Sequence, residues 1–129
     1  MCEALVRLRP EQAIYRANLG TVLLQLKEPS RAVAEWTRAL ELDPKQPQAL
    51  SNLARFYLSA QEERPAALGL CRRLVDIQPS AASYDLLGWA LYANGLRKEA
   101  CIAAAQAVER DPTNAVYRER QQKLLRKAP

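Results

Sequence analysis

Histidine is absent from the 129 residues of this chain, and that one absence narrows the chemistry. Imidazole is the commonest general base near neutral pH and the commonest metal ligand, so both roles lose their usual occupant. The three cysteines, Cys2, Cys71 and Cys101, are odd in number and form no Cys-x-x-Cys pair. A disulfide framework and a structural zinc site lack their sequence basis, and no metal or cofactor is expected; buried, inert thiols are the reading that remains. Glycine occurs four times, phenylalanine once, and aromatics make up 6% of the chain. Neither a glycine-rich phosphate loop nor a nucleophile elbow can be found. No apolar run approaches the ~20 residues of a transmembrane helix, and the opening MCEALVRLRP lacks the apolar stretch of a signal peptide.

What is present points to helices. Hydrophobic residues make up 49% of the chain, mostly Ala and Leu, which favours helix over strand and excludes a disordered composition. The length suits one domain with a modest core. A net charge of +5 with 26% charged residues permits an acidic partner without demanding one. As given, the chain reads as soluble, with the cytoplasm placed ahead of the periplasm.

The organisation emerges from a repeat. Pro10, Pro44, Pro79 and Pro112 lie 34, 35 and 33 residues apart, and the last three follow the similar runs ALELDP, LVDIQP and AVERDP. Leu19, Leu53 and Leu87 are spaced by 34 and 34, each followed by a small residue: Gly20, Ala54, Gly88. Each unit holds two helical patterns, the first being QAIYRANLGTVLLQL and SRAVAEWTRALEL around the break KEPS, where Ser30 is the expected N-cap. QEER separates the second pair and GLR the third, where Gly95 suits a left-handed helix stop. The second unit carries one extra residue, which the spacing places in the turn near Glu62–Pro65. Gly20, Ala54 and Gly88, with Ala32, Ala67 and Ala100 opposite, are read as points of close helix approach. Leucine at Gly88 is predicted to overpack its pair by ~1–3 kcal/mol.

These units resemble the tetratricopeptide repeat, whose pattern is W-x2-L-G-x2-Y, then A-x3-F, then P. The third reads Tyr84, Leu87, Gly88, Leu91, then Ala100, Ala104, Ala107 and Pro112. The first reads Arg16, Leu19, Gly20, Leu23, then Ala32, Trp36, Ala39 and Pro44, with Trp36 read as core. The second is looser, with Leu50, Leu53, Ala54, Tyr57, then Ala67, Cys71, Leu74 and Pro79. The resemblance implies an all-α fold, a right-handed superhelical α-solenoid of antiparallel helix pairs. The repeats are expected over residues 11–44, 45–79 and 80–112, with a capping helix over 113–129 and residues 1–9 as the remnant second helix of a preceding repeat.

The resemblance also places a groove, because the first helix of each pair lines the concave face of such a solenoid. The groove residues expected on these helices are Thr21 and Gln25; Gln48, Ser51, Asn52 and Arg55; Asp85, Trp89 and Tyr92; and Lys123 from the cap. Trp89 and Tyr92 form an aromatic anchor for an apolar or proline-containing peptide segment, unless Trp89 packs onto the cap helix instead. Some members of the family grip the acidic C-terminal tails of heat-shock chaperones with a two-carboxylate clamp of Lys and Asn, then Asn, then Lys and Arg. The corresponding residues are Ala17 and Thr21, Asn52, Ala82 and Leu86, of which only Asn52 matches. One repeat further on they are Ser51, Arg55, Leu86, Val116 and Arg120, of which only Arg120 matches, so chaperone tails are set aside.

The function expected is a non-enzymatic protein-interaction scaffold holding a peptide segment of an unnamed partner. An enzyme fails on inventory: Ser51 and Cys71 have no imidazole to activate them, and Asp85 or Glu119 near Arg55 read as solvated groove charges. Self-association is the alternative, with a homodimer through an N-terminal edge of Ala4, Leu5 and Leu8. Nucleic-acid binding by the basic residues between Arg110 and Lys127 comes third, because Glu109, Asp111 and Glu119 interrupt the patch.

Overall fold

The computed structural model describes residues 10–127. They form seven α-helices: α1 (Pro10–Gln25), α2 (Pro29–Leu42), α3 (Pro47–Ala60), α4 (Arg64–Ile77), α5 (Ala81–Ala93), α6 (Arg97–Arg110) and α7 (Ala115–Lys127). The remnant helix read over residues 1–9, and with it the dimer edge of Ala4, Leu5 and Leu8, lies outside the described residues. The chain divides into two compact units, with the boundary between Leu53 and Ala54.

The helix ends repeat more exactly than the helix faces. α1, α3 and α5 stop in the same way. The amides of Glu28, Glu62 and Leu96 donate to the carbonyls of Leu23, Tyr57 and Leu91 at 2.9 Å each. The amides of Lys27, Gln61 and Gly95 donate to Leu24, Leu58 and Tyr92. This paired pattern satisfies the orphan carbonyls of the last turn and forces the residue between into the left-handed region. Lys27 has φ 63°, Gln61 φ 58° and Gly95 φ 81°. Only the last of these is the residue type that adopts such a conformation without steric cost. The extra residue of the second unit lies here: Glu63, the N-cap of α4, is also left-handed at φ 47°.

Gln61 is exposed and its side chain has no packing to lose. Gln61→Gly is expected to stabilise the chain by about 1 kcal/mol, the relief of the left-handed strain less the added freedom of the unfolded chain. Chemical denaturation would show a raised midpoint at unchanged slope, and a lowered midpoint would refute the strain.

α2, α4 and α6 end on prolines. Asp43, Gln78 and Asp111 follow their last turns with φ of −147°, −140° and −144°. Each precedes a proline whose ring disfavours the helical conformation in the residue before it. The next helices open on side-chain caps 34 residues apart. Gln46 Oε1 accepts from the amide of Ala49, Ser80 Oγ from Ser83, and Asn114 Oδ1 from Val116 and Tyr117. Ser83 Oγ returns a bond by accepting from the Ser80 amide at 2.8 Å, which completes a capping box.

Ser30 is not the cap that its residue type suggests. α2 begins two residues earlier than a Ser30 cap would set it, at Pro29, with Glu28 as N-cap and no side-chain cap bond. A proline in the first helical position brings its φ ready-set for the helix and has no amide of its own to satisfy, so the helix starts there and Ser30 falls inside its first turn.

In the first unit α1 and α2 pack through Ala13, Ala17 and Leu23 on one side and Ala32, Trp36, Ala39 and Leu42 on the other, all buried. Trp36 is the largest buried side chain there, at 1% exposure, and its indole Nε1 donates to the Ala17 carbonyl at 3.2 Å. Arg16 and Glu35 close the rim of the pair with an ion pair at 3.0 Å. In the second unit Leu91, Ala100 and Ala103 make the α5–α6 core, and Leu68 from α4 and Leu124 from α7 pack against it. α5 is thus held on one side by α4, and α6 on the other by α7.

Candidate functional site

Helical spacing puts Asp85, Trp89 and Tyr92 on one face of α5, and the packing of α7 against α6 brings Arg120 and Lys123 opposite them. Between them lies a cavity of about 280 Å³. Its floor is apolar, formed by Gly88, Ala104 and Leu124, and Trp89 and Tyr92 stand over it. Trp89 is 40% exposed, so its ring is neither buried against the cap helix nor fully in solvent. Arg97, at the start of α6, places its guanidinium 5.9 Å from the Tyr92 ring centroid.

The polar end of the cavity is the Asp85–Arg120 ion pair, which ties α5 to α7. The Asp85 side chain keeps only 15% of its exposure, while Arg120 keeps 52%. Burial pushes the Asp85 carboxyl above its ordinary value of 3.8, although the guanidinium groups of Arg120 and Arg55 pull in the opposite direction. The sign follows from proton linkage. Between 3.8 and the raised value the folded chain holds a proton that the unfolded chain releases, so stability falls as pH rises through that window. Cys71 lies behind this face. Burial pushes its thiol up to about 12, and its Sγ donates to the Leu86 carbonyl, so it is a packed group and no nucleophile.

In the first unit three of the expected groove residues meet each other. Thr21 Oγ1 donates to the Ala17 carbonyl at 3.2 Å and accepts from Asn52 Nδ2 at 3.0 Å and from Gln48 Nε2 at 3.3 Å. The cluster links α1 to α3, so part of the polar capacity of these side chains is spent within the fold. Gln25 is exposed on the last turn of α1, and Ser51 is half-buried on α3, both outside that cluster. Arg55 is exposed in the second unit, close enough to Asp85 to bias its titration. The cavity thus gathers Asp85, Trp89, Tyr92 and Lys123. The spacing rule singles out neither Arg120 nor Leu124 as groove residues. Leu124 is hidden by its heavily charged helix, and Arg120 carries a signal only in its charge opposite Asp85.

A tetratricopeptide repeat family model matches residues 18–82, and a second matches residues 81–114. The chain belongs to the tetratricopeptide repeat family, and its fold is an all-α helical-repeat solenoid. It is 30% identical over 100 residues to the small glutamine-rich tetratricopeptide repeat-containing protein 2 of Mycosarcoma maydis, a match covering 77% of this chain and 28% of that protein. The chain therefore spans little more than a quarter of that relative. Among solved structures, it is similar to the first such domain of Spaghetti (RPAP3) bound to the HSP90 peptide SRMEEVD. That match has a TM-score of 0.85 at 20% identity and covers 94% of this chain and 96% of the other. It is also similar to the second such domain of human RPAP3 in complex with the HSP70 peptide SGPTIEEVD, with a TM-score of 0.82 at 22% identity, covering 92% of this chain and all of the other.

Both neighbours hold acidic chaperone peptides, which counts against setting such tails aside on the clamp residues alone. At these identities the likeness is one of fold, and the clamp positions here still match only at Asn52 or at Arg120. No helix among the described residues is long and apolar enough to cross a membrane.

Proposed function

We propose that the chain is a non-enzymatic interaction scaffold, and that the cavity between α5 and α7 holds an extended peptide of a partner protein. The observation that carries this is the cavity's composition: an apolar floor, two aromatic walls and charged groups at the rim, in a volume of about 280 Å³. That volume suits one apolar side chain with its flanking backbone, and an exposed tryptophan beside it is the residue type that most often dominates peptide affinity. Arg55, Arg120 and Lys123 outnumber Asp85, so acidic residues beside the apolar anchor are favoured over basic ones. Partner exchange without turnover is the activity.

The test uses the two peptides held by the structural neighbours, SRMEEVD and SGPTIEEVD, together with a random peptide display library selected on the immobilised chain. Trp89→Ala is expected to weaken the selected peptides by about tenfold or more, with helicity and melting unchanged. Equal binding by the wild type and the variant would move the site off this cavity.

A further inference from the structure

The cavity already contains a carboxylate. Asp85 reaches across from α5 to the guanidinium of Arg120, the cation at the rim that an acidic peptide would use. Resting on the peptide reading above, we infer that Asp85 is an internal stand-in for the ligand's carboxylate: an acidic peptide enters by displacing Asp85 from Arg120, and the displaced Asp85 takes up a proton.

Three features support the exchange. The pair is asymmetric, since Arg120 is half in solvent and reachable while the Asp85 side chain is mostly withdrawn from water. Asp85 is poorly compensated even with its partner in place, because burial outweighs the combined pull of Arg120 and Arg55. Removing Arg120 to a ligand takes away both its charge and its hydrogen bond, and a buried carboxylate without them favours its neutral form. The charged groups that line the cavity with Asp85 or bias its titration act in the same sense. Arg120 and Lys123 come from α7, Arg55 from α3, and the α6 wall of the cavity is Ala104. Every charged group among them is a cation, so a peptide carboxylate is welcome at the rim once Asp85 is neutral. Asp85 thereby sets both specificity and pH response. It makes the cavity discriminate against weak carboxylate ligands, which must compete with it, and it makes binding of strong ones tighten as pH falls.

The experiment is calorimetric titration of SRMEEVD into the wild-type chain, Asp85→Asn and Asp85→Ala, in two buffers of different ionisation enthalpy, at about pH 6 and again about 1.5 units higher. Both variants are expected to bind about tenfold tighter than the wild type at the higher pH, since a charge-assisted hydrogen bond no longer has to be broken. The wild type is expected to take up a fraction of a proton on binding near pH 6, and the variants none. The peptide's own carboxylates are already ionised there, and cations depress them further, so they cannot supply that uptake. Binding by variants and wild type with equal affinity and no proton uptake rejects the displacement and leaves the peptide site standing. Weaker binding by both variants would make Asp85 a direct ligand contact, and also rejects it. No binding of the peptide by any of the three rejects the acidic-peptide reading and the displacement with it.

Discussion

Trp36→Ala is expected to cost about 3–5 kcal/mol, measured as a loss in the denaturation free energy. The indole is 1% exposed and packs between α1 and α2, the helix pair that makes up most of the described first unit. The loss comes from the vacated volume and not from its hydrogen bond. The Ala17 carbonyl that accepts from Trp36 Nε1 at 3.2 Å also accepts from Thr21 Oγ1 at the same distance, so it keeps a side-chain partner when the indole is removed. Trp36→Phe retains most of the ring and is therefore expected to cost clearly less, about 1–2 kcal/mol. Amide hydrogen exchange would localise the damage, because a stack of repeats loses stability near the altered repeat first. Protection is expected to fall along α1 and α2 and to survive longest in α5 and α6. A Trp36→Ala chain as stable as the wild type would mean that the indole is not the core of this pair.

The features legible in the sequence are those in which one residue type imposes one geometry. Pro44, Pro79 and Pro112 act through ring sterics alone, so their spacing reports three helix ends without any knowledge of packing. Gly95 announces a left-handed stop for the same reason. Lys27 and Gln61 occupy the equivalent conformation and announce nothing, because their residue types say only that the site is exposed. Gln46 caps α3 with a side chain one methylene longer than the usual cap residues, and that role depends on how the preceding turn folds. Ser30 shows the reverse error, an apt cap residue that the proline before it places inside the first turn. In the site, the helical period alone brings Asp85, Trp89 and Tyr92 to one face. The Arg120 partnership depends on how α7 packs, which a local pattern does not encode. Thr21, Gln48 and Asn52 illustrate the limit from the other side. Polar residues at groove positions look like ligand contacts in a sequence, and here they also spend part of their capacity on one another across two helices.

Gly20→Ala is expected to destabilise the chain by about 1–3 kcal/mol, whereas Gly88→Ala is expected to be neutral or to stabilise it by up to about 1 kcal/mol. The two glycines hold the same place in the repeat and read identically in the sequence. Their surroundings differ. A Cβ on Gly20 would lie 2.5 Å from Trp36 Nε1 and 2.6 Å from Cδ1, and a ring at 1% exposure has no free space into which to move. A Cβ on Gly88 would meet the Ala100 carbonyl at 3.5 Å and the Ala103 Cβ at 3.7 Å, which is ordinary contact. There the alanine gains helix propensity without overpacking, and only a longer side chain is forced into the backbone of α6. The close approach read at both positions is therefore required only where a tryptophan lies opposite. A double-mutant cycle tests that cause directly. Gly20→Ala is expected to cost less in a Trp36→Phe background than alone, because phenylalanine has no Nε1 and its smaller ring leaves space into which it can shift, giving a favourable coupling of about 1 kcal/mol. Additive costs would show that Gly20 is needed for its backbone and not for the space it leaves. A Gly88→Ala chain as damaged as the Gly20→Ala chain would show that the small residue serves both helix pairs alike.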